Sequence, residues 1–178
     1  IKETKSNGIN VICIPGPSAA LTALVSSGLP SSKFTFEGFL PKKKIEREKL
    51  LLEISKNHKT TILFESPHRL QKVLNQLKDY CGGGREIQVF RELTKKFEEN
   101  IGNNIDDVLD FIKDKEILGE ITVVIKGTNK NDKINEFNKY ELKKELDYLV
   151  GAGLSLSAAS RYLARKNNLT KNLIYNLY

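Results

Sequence analysis

With 178 residues, 39% hydrophobic and 29% charged, the chain is long enough for one domain with a proper core plus a small appendage, and too short for two full-sized domains. Its apolar residues fall in separated periodic segments, with no run long enough to span a membrane and no apolar leader within residues 1–10, so the expectation is a cytoplasmic protein. The net charge is +7, and two cysteines, Cys13 and Cys81, stand without metal-ligand spacing and read as reduced structural thiols; no magnesium or zinc site is implied.

The run INVICI at 9–14 is short, apolar and β-branched, and reads as a buried strand ending in Pro15-Gly16-Pro17. Ser18 then stands where an N-cap belongs before AALTALVSS, and Gly28 with Pro30 predicts a left-handed cap and a stop. KFTFEGF at 33–39 alternates as a strand, and 44–56 has helical spacing through Leu50, Leu51 and Ile54. TTILF at 60–64 is a further strand. It leads into Ser66-Pro67, an N-cap and first residue for a helix that buries Leu70, Val73, Leu74 and Leu77, ended by Gly82–Gly84. EIQVF at 86–90 and a short strand around FEENI precede a helix from Asn104. There Asp106 and Asp107 suit the dipole, and Ile105, Val108, Leu109 and Ile112 line one face. ITVVIKG at 121–127 is the last strand.

Strands alternating with helices predict an α/β fold, a mixed β-sheet flanked by helices, with antiparallel pairing where connections are short. Residues 128–139 read as a polar linker, and 140–178 as a small all-helical tail. In that tail Ala159, Leu163 and Ala164 form a buried face, Asn168 suits a left-handed turn, and Thr170 can cap a helix carrying Leu173, Ile174 and Leu177. This arrangement is compatible both with a helix-turn-helix-like nucleic-acid module and with a plain packed bundle.

Basic residues cluster twice, in PKKKIEREKL at 41–50 and in the acid-free last 28 residues. Such clusters fit phosphate contacts, and equally fit solvated lysine faces. Ligands of parallel strands bind beyond the strands' carboxyl ends, where loops converge. Three loops qualify: Pro15–Ala19, Glu65–Arg69 and Arg91–Lys95. Singly, each is an ordinary turn, helix start or charged strand end. His68, one residue into a helix, reads as a surface or capping residue.

In combination and in order, IPGPSAALTALVSSGLP, FEGFLP, FESPHRL, RELTK followed by FEE, and GEITVVIKG resemble the ribosomal RNA small subunit methyltransferase I family of the tetrapyrrole-methylase superfamily, across residues 9–127. A weaker likeness covers 154–175. The resemblance implies an S-adenosyl-L-methionine-dependent enzyme that methylates the ribose 2'-hydroxyl of a cytidine in 16S rRNA within the small ribosomal subunit, acting as a homodimer in the cytoplasm. It also implies a preceding domain with a Gly-rich cofactor loop, which nothing here resembles. With Met absent throughout, the expectation is a piece of a longer reading frame, inactive alone. Residues 1–30 would then be the last strand and helix of the cofactor domain, and 31–127 the second α/β domain.

On this resemblance Ser18, Ala19, Glu65, Leu93 and Gly127 are expected at the cofactor. Glu65, Glu92 and Glu98 are candidate proton acceptors or ribose anchors. Lys42, Lys43, Lys44 and Arg47, on a loop, together with Arg69 and Lys95, are expected to contact RNA phosphates. A tetrapyrrole methylase and a non-enzymatic RNA-binding module are the rival readings.

Overall fold

A computed structural model describes residues 1–128, 139–167 and 171–178. In chain order the elements are α1 (Lys2–Ser6), α2 (Ala19–Ser26), β1 (Phe34–Phe39), α3 (Lys44–Lys56), β2 (Thr60–Glu65), α4 (Pro67–Cys81), β3 (Glu86–Arg91), β4 (Glu99–Asn104), α5 (Ile105–Ile112), β5 (Ile121–Ile125), α6 (Lys139–Gly151), α7 (Leu156–Lys166) and α8 (Lys171–Tyr175). Most of the expected linker, and the expected turn and cap residues Asn168 and Thr170, lie outside the described residues, as does the side chain of Leu173.

The five strands form one mixed sheet in the order β1-β2-β5-β3-β4. β1 and β2 are parallel, while β5 runs antiparallel to both β2 and β3, and β4 antiparallel to β3. All five residues of β5 are buried, as an uninterrupted apolar run in a central strand should be. Because side chains alternate across a strand, each strand divides between two cores. On one face Leu63, Ile87, Val89, Val123 and Ile125 meet α3, α4 and α5 through Leu51, Ile54, Leu70, Leu74, Leu77, Ile105 and Val108. On the other face Ile62, Phe90 and Val124 meet α2 through Ala20, Ala23 and Leu24, with Leu29 beside them.

Local signals account for the ends of these elements. Asn104 caps α5 by accepting from the Asp107 N–H at 2.9 Å. Gly28 has φ +68°, the left-handed stop expected after α2. The tail forms its own core, with Leu142 and Leu146 of α6 against Ala159, Leu163 and Ala164 of α7 and Ile174 of α8.

One expected strand is not formed. Residues 9–14 have no regular structure, and Ile12 and Ile14 are 80% and 88% exposed. An apolar β-branched run becomes a strand only where a neighbour completes its ladder, and this segment pairs with neither β1 nor β4, the two edges of the sheet.

Candidate functional site

The strand directions bring the carboxyl ends of β1, β2 and β3 to one edge of the sheet. Glu65 is the register partner of Ile121, and Arg91 pairs with both Ile121 and Glu99. The turn after β1, the Glu65–Arg69 loop and the Arg91–Lys95 loop therefore leave the sheet at the same end, whereas Pro15–Ala19, the third loop expected there, follows no strand. Gly127 does not join them. Ile125 pairs with Thr61 and Ile87, so Gly127 leaves β5 at the opposite edge. There a Cβ on Gly127 would overlap the His58 carbonyl and stand 2.7 Å from the Lys59 nitrogen, so its small size serves a close backbone approach within the fold.

The convergent edge has two sides. Leu93 packs against the apolar cluster that contains Ala20, Ala23 and Leu24 of α2, the helix that follows Ser18. The Ser18 side chain makes no capping hydrogen bond, although its carbonyl accepts from the Thr22 N–H. Glu65 alternates with Phe64 and so belongs to the opposite side, with α4. Its side chain is 1% exposed. Oε1 accepts from the Ser66 N–H at 2.8 Å, whereas Oε2 lies 3.4 Å from Arg69 Nη2 as an ion pair without a hydrogen bond.

The loop after β3 is held under backbone strain. Glu92 and Thr94 have φ of 52° and 64°, a region side-chain-bearing residues rarely adopt. Several bonds hold this shape. The Glu92 N–H donates to the Glu120 carbonyl at 3.0 Å, and Glu92 Oε1 accepts from the Glu120 N–H at 2.8 Å and from Lys95 Nζ at 2.9 Å. Lys95 also reaches Glu120 Oε2 at 3.0 Å. The hydrogen bond from Lys95, then that from the Glu120 backbone, holds the Glu92 carboxyl below its ordinary pKa, while Glu92 and Glu120 raise that of Lys95. Glu98 accepts from the Thr94 N–H at 2.7 Å. Glu92, Glu98 and Lys95 are thus all occupied in bracing this loop.

Sequence reasoning did not single out Glu120. It lies 28 residues from Glu92, a separation at which no local periodicity reports a contact. It also did not single out Gly119, whose φ of 95° places its backbone against the Glu92 side chain.

The basic segment is only partly a loop. Lys42 and Lys43 precede α3, but Lys44 and Arg47 lie in its first turn, because the helical spacing begins at Lys44 itself. Lys43 pairs with Glu46 at 3.3 Å and Lys44 with Glu48 at 3.9 Å, each with its lysine in solvent. Arg47 turns back to the carbonyls of Pro41 and Lys42. Among the described residues no group of His, Cys, Asp and Glu could hold a metal ion, and no helix is long and apolar enough to cross a membrane.

Residues 1–109 match the family described as Tetrapyrrole (Corrin/Porphyrin) Methylases. Ribosomal RNA small subunit methyltransferase I of Bacillus subtilis (strain 168) is 35% identical, over 100% of this chain and 62% of that protein. The protein of the same name from Synechocystis sp. is 38% identical, over 95% of this chain and 60% of its own length. That of Mycobacterium tuberculosis H37Rv is 39% identical, over 88% and 53%. The chain therefore spans between half and two thirds of these relatives. Among solved structures, the cobalt precorrin-4 methyltransferase CbiF has a TM-score of 0.51 at 18% identity, covering 70% of this chain and 55% of that one. The methyltransferase CobJ also scores 0.51, at 19% identity, covering 71% and 55%. At such identities the likeness is one of fold.

Proposed function

This chain belongs to the tetrapyrrole methylase family, and from that premise we propose that it acts in S-adenosylmethionine-dependent methylation of small-subunit ribosomal RNA, at the ribose 2'-hydroxyl of a cytidine in 16S rRNA. The observation that carries this reading is the position of Lys42 and Lys43 on the turn after β1, with Lys44 opening α3, at the same sheet edge as the ends of β2 and β3. A polyanionic RNA strand fits such a turn. The names of the 35–39% identical relatives support the same substrate class.

The residues present fit the adenosyl cofactor on one side of that edge. Leu93 is a partly buried apolar side chain on the α2 side of the sheet, and the Ser18 hydroxyl, before Ala19, is not committed to a cap. S-adenosylmethionine, when bound, supplies an electrophilic methyl carbon. The work of this chain is to hold the ribose hydroxyl in line with that carbon, and such positioning provides much of the acceleration of a displacement. Glu65, Glu92 and Glu98 contribute in this reading by holding loop shape. In this reading too, residues 1–30 belong with the cofactor-binding half of the enzyme and 31–127 form its second domain. The enzyme works as a homodimer in the cytoplasm.

The test uses the protein expressed from the natural reading frame that encodes this chain. Unmethylated small ribosomal subunits are incubated with it and with methyl-labelled S-adenosylmethionine, and the RNA is digested to nucleosides. Label in 2'-O-methylcytidine is expected. Label in another nucleoside would correct the position. Tight RNA binding without transfer would leave a binding module, and transfer only to a tetrapyrrole macrocycle would overturn the RNA reading.

A further inference from the structure

Two arginines hold the turn after β1. Arg69 Nη2, from α4, donates to the Leu40 carbonyl at 3.1 Å. Arg47 Nη1, from α3, donates to the Pro41 carbonyl at 3.3 Å and the Lys42 carbonyl at 2.8 Å. Three consecutive carbonyls are thereby held by two planar guanidinium groups, each through one terminal nitrogen. Arg69 is itself set from below by the buried Glu65 carboxylate, whose Oε2 has the guanidinium as its counter-charge.

This bracing holds the turn against a local electrostatic preference. Lys43 caps α3 and Lys44 opens it, although cations at a helix N-terminus oppose the dipole. The side chains of Lys43 and Lys44 are 82% and 79% exposed, so their pairs with Glu46 and Glu48 are screened by solvent and contribute little. A like-charged cluster at an unfavourable helix end, fastened from behind by two arginines and a buried acid, is a conflict between local preference and structure of the sort that marks function.

We propose that Arg47 and Arg69 are positioning residues, not phosphate contacts: they shape the turn so that Lys42, Lys43 and Lys44 meet the RNA backbone together, with Glu65 fixing Arg69. This rests on the reading that the chain acts on ribosomal RNA.

The test is a cycle of variants in the protein expressed from its natural reading frame, with binding to unmethylated small ribosomal subunits measured against salt. Lys42→Ala/Lys43→Ala/Lys44→Ala should weaken binding and flatten the salt dependence, by about 0.7–0.9 in slope for each phosphate no longer neutralised. Arg47→Ala alone should weaken binding about tenfold, and should add less than twofold when the three lysines are already absent. A further tenfold loss in the lysine-free background, with a further fall in slope, would make Arg47 a phosphate ligand and overturn the proposal. Arg69→Ala would strand the buried Glu65 charge and endanger folding, so Arg69→Met/Glu65→Gln serves in its place, with the same expectation.

A second readout needs no RNA. Trypsin cleavage after Lys42, Lys43 and Lys44, followed by mass spectrometry, should be at least tenfold faster in Arg47→Ala than in the parent at equal thermal stability. Unchanged cleavage would refute the brace. If the triple lysine variant binds subunits as the parent does, the RNA assignment of this turn fails, while the trypsin comparison still decides whether the arginines hold it.

Discussion

Replacing Gly127 with alanine tests the packing of the sheet at the edge remote from the candidate site. The new Cβ would overlap the His58 carbonyl and lie 2.7 Å from the Lys59 nitrogen, against 3.4–4 Å for ordinary van der Waals separation. Both obstacles are backbone, so relief requires the exit of β5 and the entry of β2 to separate. That separation stretches the bond from the Thr128 N–H to the Asn57 carbonyl, now 2.8 Å, and the 2.7 Å hydrogen bond between Thr128 Oγ1 and His58 Nδ1. Overpacking together with the weakening of these two hydrogen bonds costs about 2–4 kcal/mol. For a chain of this size that lowers Tm by roughly 5–15 °C. Gly102→Ala is the control. The nearest atoms to its Cβ are at the far end of the Gln88 side chain, which can swing to another rotamer, so a loss below about 1 kcal/mol is expected. Urea titration followed by circular dichroism, alongside thermal melts, measures both variants. If Gly127→Ala unfolds at the parent's urea concentration, the close approach is not a constraint and the reasoning fails. If stability holds but S-adenosylmethionine binding disappears, Gly127 belongs to the cofactor site after all.

Ser160 is fully buried in the tail and its Oγ has no hydrogen-bond partner among the described residues, so Ser160→Ala should stabilise α7 by about 1 kcal/mol; slower amide exchange in α6 and α7 would bear this out, and faster exchange would show that the hydroxyl is bonded. The Glu92 carboxyl, held below its ordinary pKa chiefly by Lys95, contributes stability that is present above the unfolded-state value and is lost as pH falls through the folded-state value. The gap in urea midpoint between the parent and Glu92→Gln should accordingly be widest near neutrality and close in acid, and a gap independent of pH would remove the ionic bond as its cause.

Much of the architecture was legible because its signals are local. Leu70, Val73, Leu74 and Leu77 repeat at helical spacing and all face the core from α4, and Asn104 three residues before Asp107 is a cap that can be read from four letters. The convergence of the Glu65 and Arg91 loops was legible too, because strand-helix alternation implies that successive strand ends gather at one edge. The partners of the candidate residues were not. Glu120 braces Glu92, Arg69 turns back to Leu40, and Gly127 abuts His58, each across a separation set by strand pairing. The position of Gly127 at the end of the sheet opposite those loops has the same origin. Its place depends on β5 running antiparallel between β2 and β3, and no periodicity within ITVVIKG encodes direction.

The amino-acid sequence by itself determined most of the helices and strands, which of their faces are apolar, and which motifs place the chain in its family, because propensity, capping and amphipathic spacing act between residues near in the chain. Only the tertiary structure decided that 9–14 is not a strand, that β5 inserts at the centre of the sheet, and that the arginines and glutamates near the candidate site spend their hydrogen bonds on loop carbonyls and amides. A ladder, a buried charge and a close backbone approach each need a partner from elsewhere in the chain, and the energy of that pairing exists only once the fold brings the two together.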